Sequence, residues 1–344
     1  MATIRRRTGQ GGVSFHVQVR IKGHTPETAT FRRLTDARRW AQQTEAAIRE
    51  GRHFPRSAAR AHTLAEAIDR YMKTILPHKA KHTVDVQNPQ LAWWKAQIGH
   101  LSLAEVIPAI VAEQRDILLQ RFTPGTVNRY LAALSHVCTI AWREWQWLES
   151  NPVHAISKPR EPQGRVRYLS DQERQRLLDA CKISHNAWLY TIVVLALATG
   201  CRKMELLSLR WGDVDLQRGT LTLRDTKNGD TRRVPLVGTA LNEMRRHARV
   251  RRLDTDLVFP SADGTQPCSI RAAWDTARHQ AELRDFRFHD LRHSCASYLA
   301  MSGASLLDIK TILGHKSIVM TQRYAHLSQD HTQQVLARMT AQIL

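Results

Sequence analysis

Phe15, Val17, Val19 and Ile21 alternate with His16, Gln18, Arg20 and Lys22. A period of two gives a strand one apolar face and one basic face. Lys22-Gly23-His24 reads as a turn, after which Thr28 to Phe31 can pair back, and a helix follows from about Asp36 to Glu50 with Asp36 as N-cap. Gly51 to Ala61 is short, basic and contains Pro55, so it reads as a linker. The period then becomes helical. Thr63 to Glu66 forms a capping box opening a helix whose one face carries Leu64, Ala67, Ile68, Tyr71, Met72 and Ile75. Further helices are expected over about Val84–Ile98, Ala109–Arg121 and Thr126–Trp147, making an all-helical bundle with Trp93, Trp94, Trp142, Trp145 and Trp147 mostly in its core. Asn151-Pro152 and the basic stretch Lys158–Arg167, with Pro159 and Pro162, read as a second linker.

A second capping box, Ser170 to Glu173, opens the last region. Its pattern predicts helices over about 171–181, 187–199 and 203–209. Two strands follow, Gly219–Arg224 and Thr231–Leu236, around an Asn228-Gly229 hairpin turn. Helices are then expected over about 238–252, 270–283, 290–302, 305–313, 317–326 and 329–343. The chain is thus mainly α with small β elements, divided as 1–55, 62–155 and 165–344.

Charge changes this picture. Among 344 residues, 51 Lys and Arg face 31 Asp and Glu, a net charge of +20. A surplus that large points to a polyanionic partner, nucleic acid first. It is densest in residues 1–60, with 13 basic against 4 acidic side chains, so a small basic-faced sheet braced by one helix is a candidate for a DNA major groove. The longest uncharged apolar run, Ala187–Thr199, has 13 residues; a membrane span needs roughly 20, so a buried helix is expected and no membrane partner. The basic start is followed by no apolar segment, a pattern that does not fit a secretory signal. Cys138, Cys181, Cys201, Cys268 and Cys295 contain no C-x-x-C pair and read as small buried residues of a cytoplasmic protein.

Four short stretches of the last region carry candidate chemistry: Thr199-Gly-Cys-Arg202-Lys-Met-Glu205, Thr226-Lys227-Asn-Gly229, His289-Asp-Leu-Arg292-His-Ser and Leu313-Gly-His315, followed by Tyr324. There is no P-loop, no carboxylate cluster and no H-E-x-x-H, so neither cofactor nor metal is expected. In this order and spacing, Arg202, Lys227, His289, Arg292, His315 and Tyr324 resemble the catalytic set of the tyrosine recombinases, the phage integrase family, over about residues 165–330. The resemblance implies a site-specific DNA strand transferase working through a 3′-phosphotyrosine and a four-way junction, as a homo-tetramer on double-stranded attachment sites, with accessory DNA-bending proteins as further candidates.

Within that resemblance, Arg202 and Arg292 would grip the phosphate by forked hydrogen bonds and Tyr324 would attack it. His289 and the two arginines would help the phenol lose its proton, His315 would donate to a phosphate oxygen, and Lys227 would protonate the leaving 5′ oxygen. Glu205 would support Arg202. Residues 62–155 are similar to the family's SAM-like core-binding domain, and 1–55, more loosely, to its β-β-β-α arm-binding domains. Arg20, Lys22, Lys158, Arg160, Arg165 and Arg167 are the candidate DNA contacts. Val335, Leu336 and Met339 share one face of a tail that would dock on a neighbouring subunit. Two other readings stay open: a relaxing topoisomerase of the type IB class, and a DNA-binding regulator without catalysis.

Overall fold

Strand β1 (Ala2–Gly9) pairs antiparallel with β2 (Gly12–Val19), and β2 with β3 (Glu27–Phe31). On one face Val17 and Val19 are buried against Ala37, Ala41 and Ile48 of α1 (Leu34–Arg49). On the other, the register brings Arg5 beside His16 and His16 beside Thr30. β1 is absent from the hydrophobic pattern because Arg5, Arg6 and Arg7 mask any alternation; its backbone pairing with β2 forms it. Asp36 stands in the first turn of α1 and not at its cap, where its carboxylate still faces the positive helix end. Arg20 and Lys22 are exposed just beyond β2.

The structure is a computed structural model that describes every residue except 1, 10–11, 23–25, 50–55, 163–164, 225–230, 329–336, 338 and 344. It divides into two units, residues 1–163 and 164–344. In the first, α2 (Arg56–Ala61) replaces the second half of the expected linker: the Ala59 carbonyl accepts the Ala104 amide at 3.0 Å, and its side chain joins the bundle core. Helices α3 (Leu64–Thr74), α4 (Lys81–Ile98), α5 (Pro108–Leu119) and α6 (Pro124–Arg143) form that bundle. The Thr63–Glu66 capping box closes as its spacing requires. Trp94 is fully buried and donates its indole N–H to the Tyr130 carbonyl at 2.9 Å, whereas Trp93, Trp142, Trp145 and Trp147 only flank the core. α6 ends before Trp145, and Asn151 is no linker residue: it is buried and donates to Ser135 and Thr139. Lys158 and Arg160 are exposed at the end of this unit.

The second unit begins with α7 (Asp171–Lys182), opened by the Ser170–Glu173 capping box, and the core helix α8 (Leu189–Thr199). Short α9 (Lys203–Leu207) precedes a meander of β4 (Val214–Asp215), β5 (Thr220–Leu223) and β6 (Arg232–Pro235). Then come α10 (Gly238–Ala248), α11 (Arg271–Gln280), α12 (Asp290–Met301), α13 (Leu306–Leu313) and one-turn α14 (Val319–Gln322), with a 3-10 turn at Ala325–Ser328. The main core gathers α8 with Leu221, Val234, Met244, Phe259, Phe286 and Leu291, while Cys295, Ile309, Leu313 and Tyr324 make a smaller cluster under α12. The Asn228-Gly229 turn, Val335 and Leu336 lie outside the described residues, and Met339 is exposed. All five cysteines are free and buried. No helix among the described residues is long and apolar enough to cross a membrane.

α8 ends on Gly200 in the left-handed region, φ 62°. A Cβ there would stand 2.2 Å from Leu313 Cδ2 and 3.3 Å from Cys295 Sγ, both in buried side chains. Gly200→Ala should therefore combine backbone strain with overpacking and destabilise the second unit by about 2–4 kcal/mol. Gly212→Ala, with nothing within 4 Å of its Cβ position, should be nearly neutral. Urea unfolding of the two variants checks this contrast.

Candidate active site

The left-handed turn at Gly200 redirects the chain so that Arg202 becomes the residue before α9. Glu205, one turn on, accepts the Arg202 backbone N–H at 2.9 Å and its guanidinium at 2.5 Å. It also accepts Arg232 of β6 at 3.1 Å, and Arg232 reaches on to the Ile312 carbonyl. Burial alone would raise the Glu205 carboxyl, but hydrogen bonds from Arg202 and the charges of both arginines hold it below its ordinary value. Glu205 is thus an anion clamped between two cations.

Arg292 on α12 is only 5% exposed. Its two terminal nitrogens donate to the Gly200 and Leu313 carbonyls, each at 2.7 Å. These are carbonyls at the C-terminal ends of α8 and α13, which intrahelical bonding leaves unsatisfied. Burial, then the charges of Arg202 and Arg232, lower the Arg292 guanidinium to about 10. α13 ends on Gly314, also left-handed at φ 65°, and His315 follows. His315 Nδ1 pairs with Thr321 Oγ1 at 2.9 Å. Burial and the neighbouring arginines push its imidazole down to about 4, so it is neutral at pH 7.

Tyr324 is 2% exposed, and burial raises its phenol to about 12. Its hydroxyl is hydrogen-bonded to His293 Nδ1 at 2.5 Å. His289, where the sequence pattern set a proton acceptor, stands just before α12; desolvation by the groups packed around its ring, then the Arg292 charge, lower its pKa. Arg202, His289, Arg292, His293, His315, Arg323 and Tyr324 line one pocket of about 390 Å³. Lys227 lies outside the described residues. Arg165 also lines the pocket, ion-paired to Asp285 and Asp290, while Arg167 is paired with Glu173. Both are thus ion-paired residues of the second unit. Sequence reasoning gave no role to Arg232, Arg323, Thr321 or His293. His293 was findable, because it sits four residues after His289 on the same helix face.

A pocket of guanidiniums and neutral imidazoles that also holds a tyrosine hydroxyl is built to bring an oxyanion, such as a phosphodiester, against a nucleophile. Residues 167–331 match the model of the phage integrase family. The chain is 33% identical over 283 residues to the shufflon-specific DNA recombinase of Escherichia coli, covering 80% of this chain and 71% of that one. It is 30% identical over 222 residues to the integrase of Salmonella phage P22, covering 60% of this chain and 55% of that one. Among solved structures, a lambda integrase tetramer bound to a Holliday junction is similar in fold, with a TM-score of 0.63 and 20% identity over 90% of this chain and 92% of that chain. The chain belongs to the phage integrase family, the tyrosine recombinases.

His293 and His315 both lie near 4 in the folded protein, against an ordinary 6.5. Between those values the unfolded chain binds more protons, so their contribution to stability is full above about 6.5 and is lost as pH falls toward 4. The thermal midpoint should drop from pH 7 to pH 5, and drop less in His293→Asn and His315→Asn. Thermal melts at both pH values measure the difference.

Proposed function

We propose that this protein is a site-specific DNA recombinase that cuts and rejoins strands through a covalent 3′-phosphotyrosine at Tyr324. The observation that carries the reading is the convergence of Tyr324 with Arg202, Arg292 and His315 in one pocket of a single chain. The scissile phosphate would sit between the two guanidiniums. Arg292, held from behind by two carbonyls, meets it preorganised, and such donors favour the transition state where charge builds on the non-bridging oxygens. His315, with Nδ1 engaged by Thr321, would donate through Nε2. The Tyr324 Oη–phosphorus bond forms as the phosphorus–O5′ bond breaks; the phenol gives up its proton to His289 and the leaving oxygen takes one from Lys227. The phosphotyrosine stores the bond, so a 5′ hydroxyl of another strand can reseal it without ATP. Because two guanidiniums supply the charge, the chemistry asks for no metal.

In the same proposal, residues 1–55, 62–155 and 165–344 are arm-binding, core-binding and catalytic domains. The basic face of the N-terminal sheet, with Arg20 and Lys22, and the exposed Lys158 and Arg160 meet DNA phosphates. Four copies act on two duplexes through a Holliday junction, in the cytoplasm or nucleoid. The similarity to the shufflon recombinase extends well beyond the catalytic segment, which favours recombination over simple relaxation of supercoils.

Tyr324→Phe should abolish covalent protein–DNA adducts on a nicked suicide substrate bearing the cognate site while leaving DNA binding intact. Arg292→Lys cannot reach both carbonyls and a phosphate at once, so it should slow adduct formation by about 10²–10³-fold. Denaturing gels of trapped adducts read both variants; adducts at wild-type yield from Tyr324→Phe would overturn the assignment.

A further inference from the structure

The proposed chemistry gives work to His289 and His315 but none to the third imidazole in the pocket. Yet the Tyr324 hydroxyl bonds to that third one, His293 Nδ1, at 2.5 Å across 31 residues of chain. We propose that His293 is a positioning residue for Tyr324, a neutral acceptor that holds the phenol at the arginine pocket before DNA arrives. This deepens the recombinase reading and rests on it.

The local architecture shows why such a holder is needed. Tyr324 follows α14, a single helical turn, and precedes a short 3-10 turn. A four-residue helix has no stability of its own. Two imidazoles from better-anchored parts of the fold tie the segment down instead: His315 holds Thr321 and His293 holds Tyr324. His293 rises from α12, a twelve-residue helix whose Leu291 and Ser294 are fully buried. It therefore offers a fixed point to an element too short to hold itself.

The groups around His293 favour the neutral imidazole. At the start of its helix stands His289, ring edge-on at 5.4 Å, and on the helix Arg292 and Asp290; Arg323 flanks it from the tyrosine segment. Burial first, then His289, keep its pKa near 4, while the Tyr324 phenol is near 12. Burial lowers the imidazole and raises the phenol, so the proton stays on the phenol in the resting site. His293 is then neutral, and in this proposal its proton is on Nε2 and a lone pair on Nδ1 faces the hydroxyl. Its bond to the hydroxyl hydrogen leaves the Oη lone pairs for the phosphorus. An acceptor at the Nδ1 position is what the role demands, and Asn supplies one there through Oδ1, whereas Leu fills the volume without one.

The test uses the full chain in two arms. Without DNA, nitrogen NMR of ¹⁵N-histidine-labelled protein should show the His293 Nδ1 signal move toward that of a free imidazole nitrogen in Tyr324→Phe. No movement would overturn the proposal whatever the protein does to DNA. On the suicide substrate under single-turnover conditions, His293→Leu should form adducts at least tenfold more slowly with unchanged DNA affinity. His293→Asn should recover most of that loss and keep the wild-type pH profile. Wild-type rates in His293→Leu, or an Asn variant as slow as Leu, would sink the positioning role. If wild-type protein shows the NMR contact but never forms a Tyr324 adduct, the recombinase reading fails, and the bond is a packing contact only.

Discussion

Arg292 is a nearly buried cation whose two terminal nitrogens end on the last carbonyls of two different helices. An isolated charge in that position would be strongly unfavourable. The negative ends of α8 and α13, aimed at one guanidinium, offset much of that penalty. The same contacts tie those two helix ends to one point. Arg202 lies two residues beyond the Gly200 carbonyl and His315 two residues beyond the Leu313 carbonyl. One side chain thus sets the spacing of the elements from which the anion-facing groups emerge.

The left-handed glycines make that arrangement sterically feasible. At Gly200 a Cβ would strike Leu313, and at Gly314 it would meet the Arg232 side chain at 2.8–3.1 Å. Both glycines therefore serve a close approach as well as a turn. Arg232 in turn shares Glu205 with Arg202, so the second guanidinium is held by a carboxylate that is itself held twice. The pocket retains a net positive field: among its described neighbours, Glu205 and Asp290 are each already engaged by arginines. An entering phosphate meets cations whose geometry is already set, which is the condition for electrostatic preorganisation.

Much of this was legible in the chain. Capping boxes at Thr63 and Ser170 announce helix starts because each names its own partner three residues on. The apolar run of α8 announces a core helix, and the glycines before Arg202 and His315 announce helix ends. Local patterns could not supply pairings made over long distances. β1 exists because β2 is beside it, and two-residue β4 exists because of β5. Arg165 reads as a linker charge until Asp285 and Asp290 are folded against it. Lys158 to Arg167 is uniform in sequence, but the division of the chain falls inside it, which separates exposed Lys158 and Arg160 from paired Arg165 and Arg167.

The tyrosine marks the sharpest limit of local reading. Tyr324 was legible as a nucleophile by order and spacing, but its state was not. A residue poised for attack on an exposed duplex would be expected at the surface, yet Tyr324 is among the most buried large side chains of the second unit. Its ring packs with Cys295, Ile309 and Leu313, and only the hydroxyl end meets polar groups. Apolar packing therefore fixes where the ring lies, while hydrogen bonding fixes where the oxygen points. The first is written in hydrophobic periodicity. The second depends on which imidazole of α12 the segment after α14 happens to reach, a tertiary contact that spacing alone does not encode.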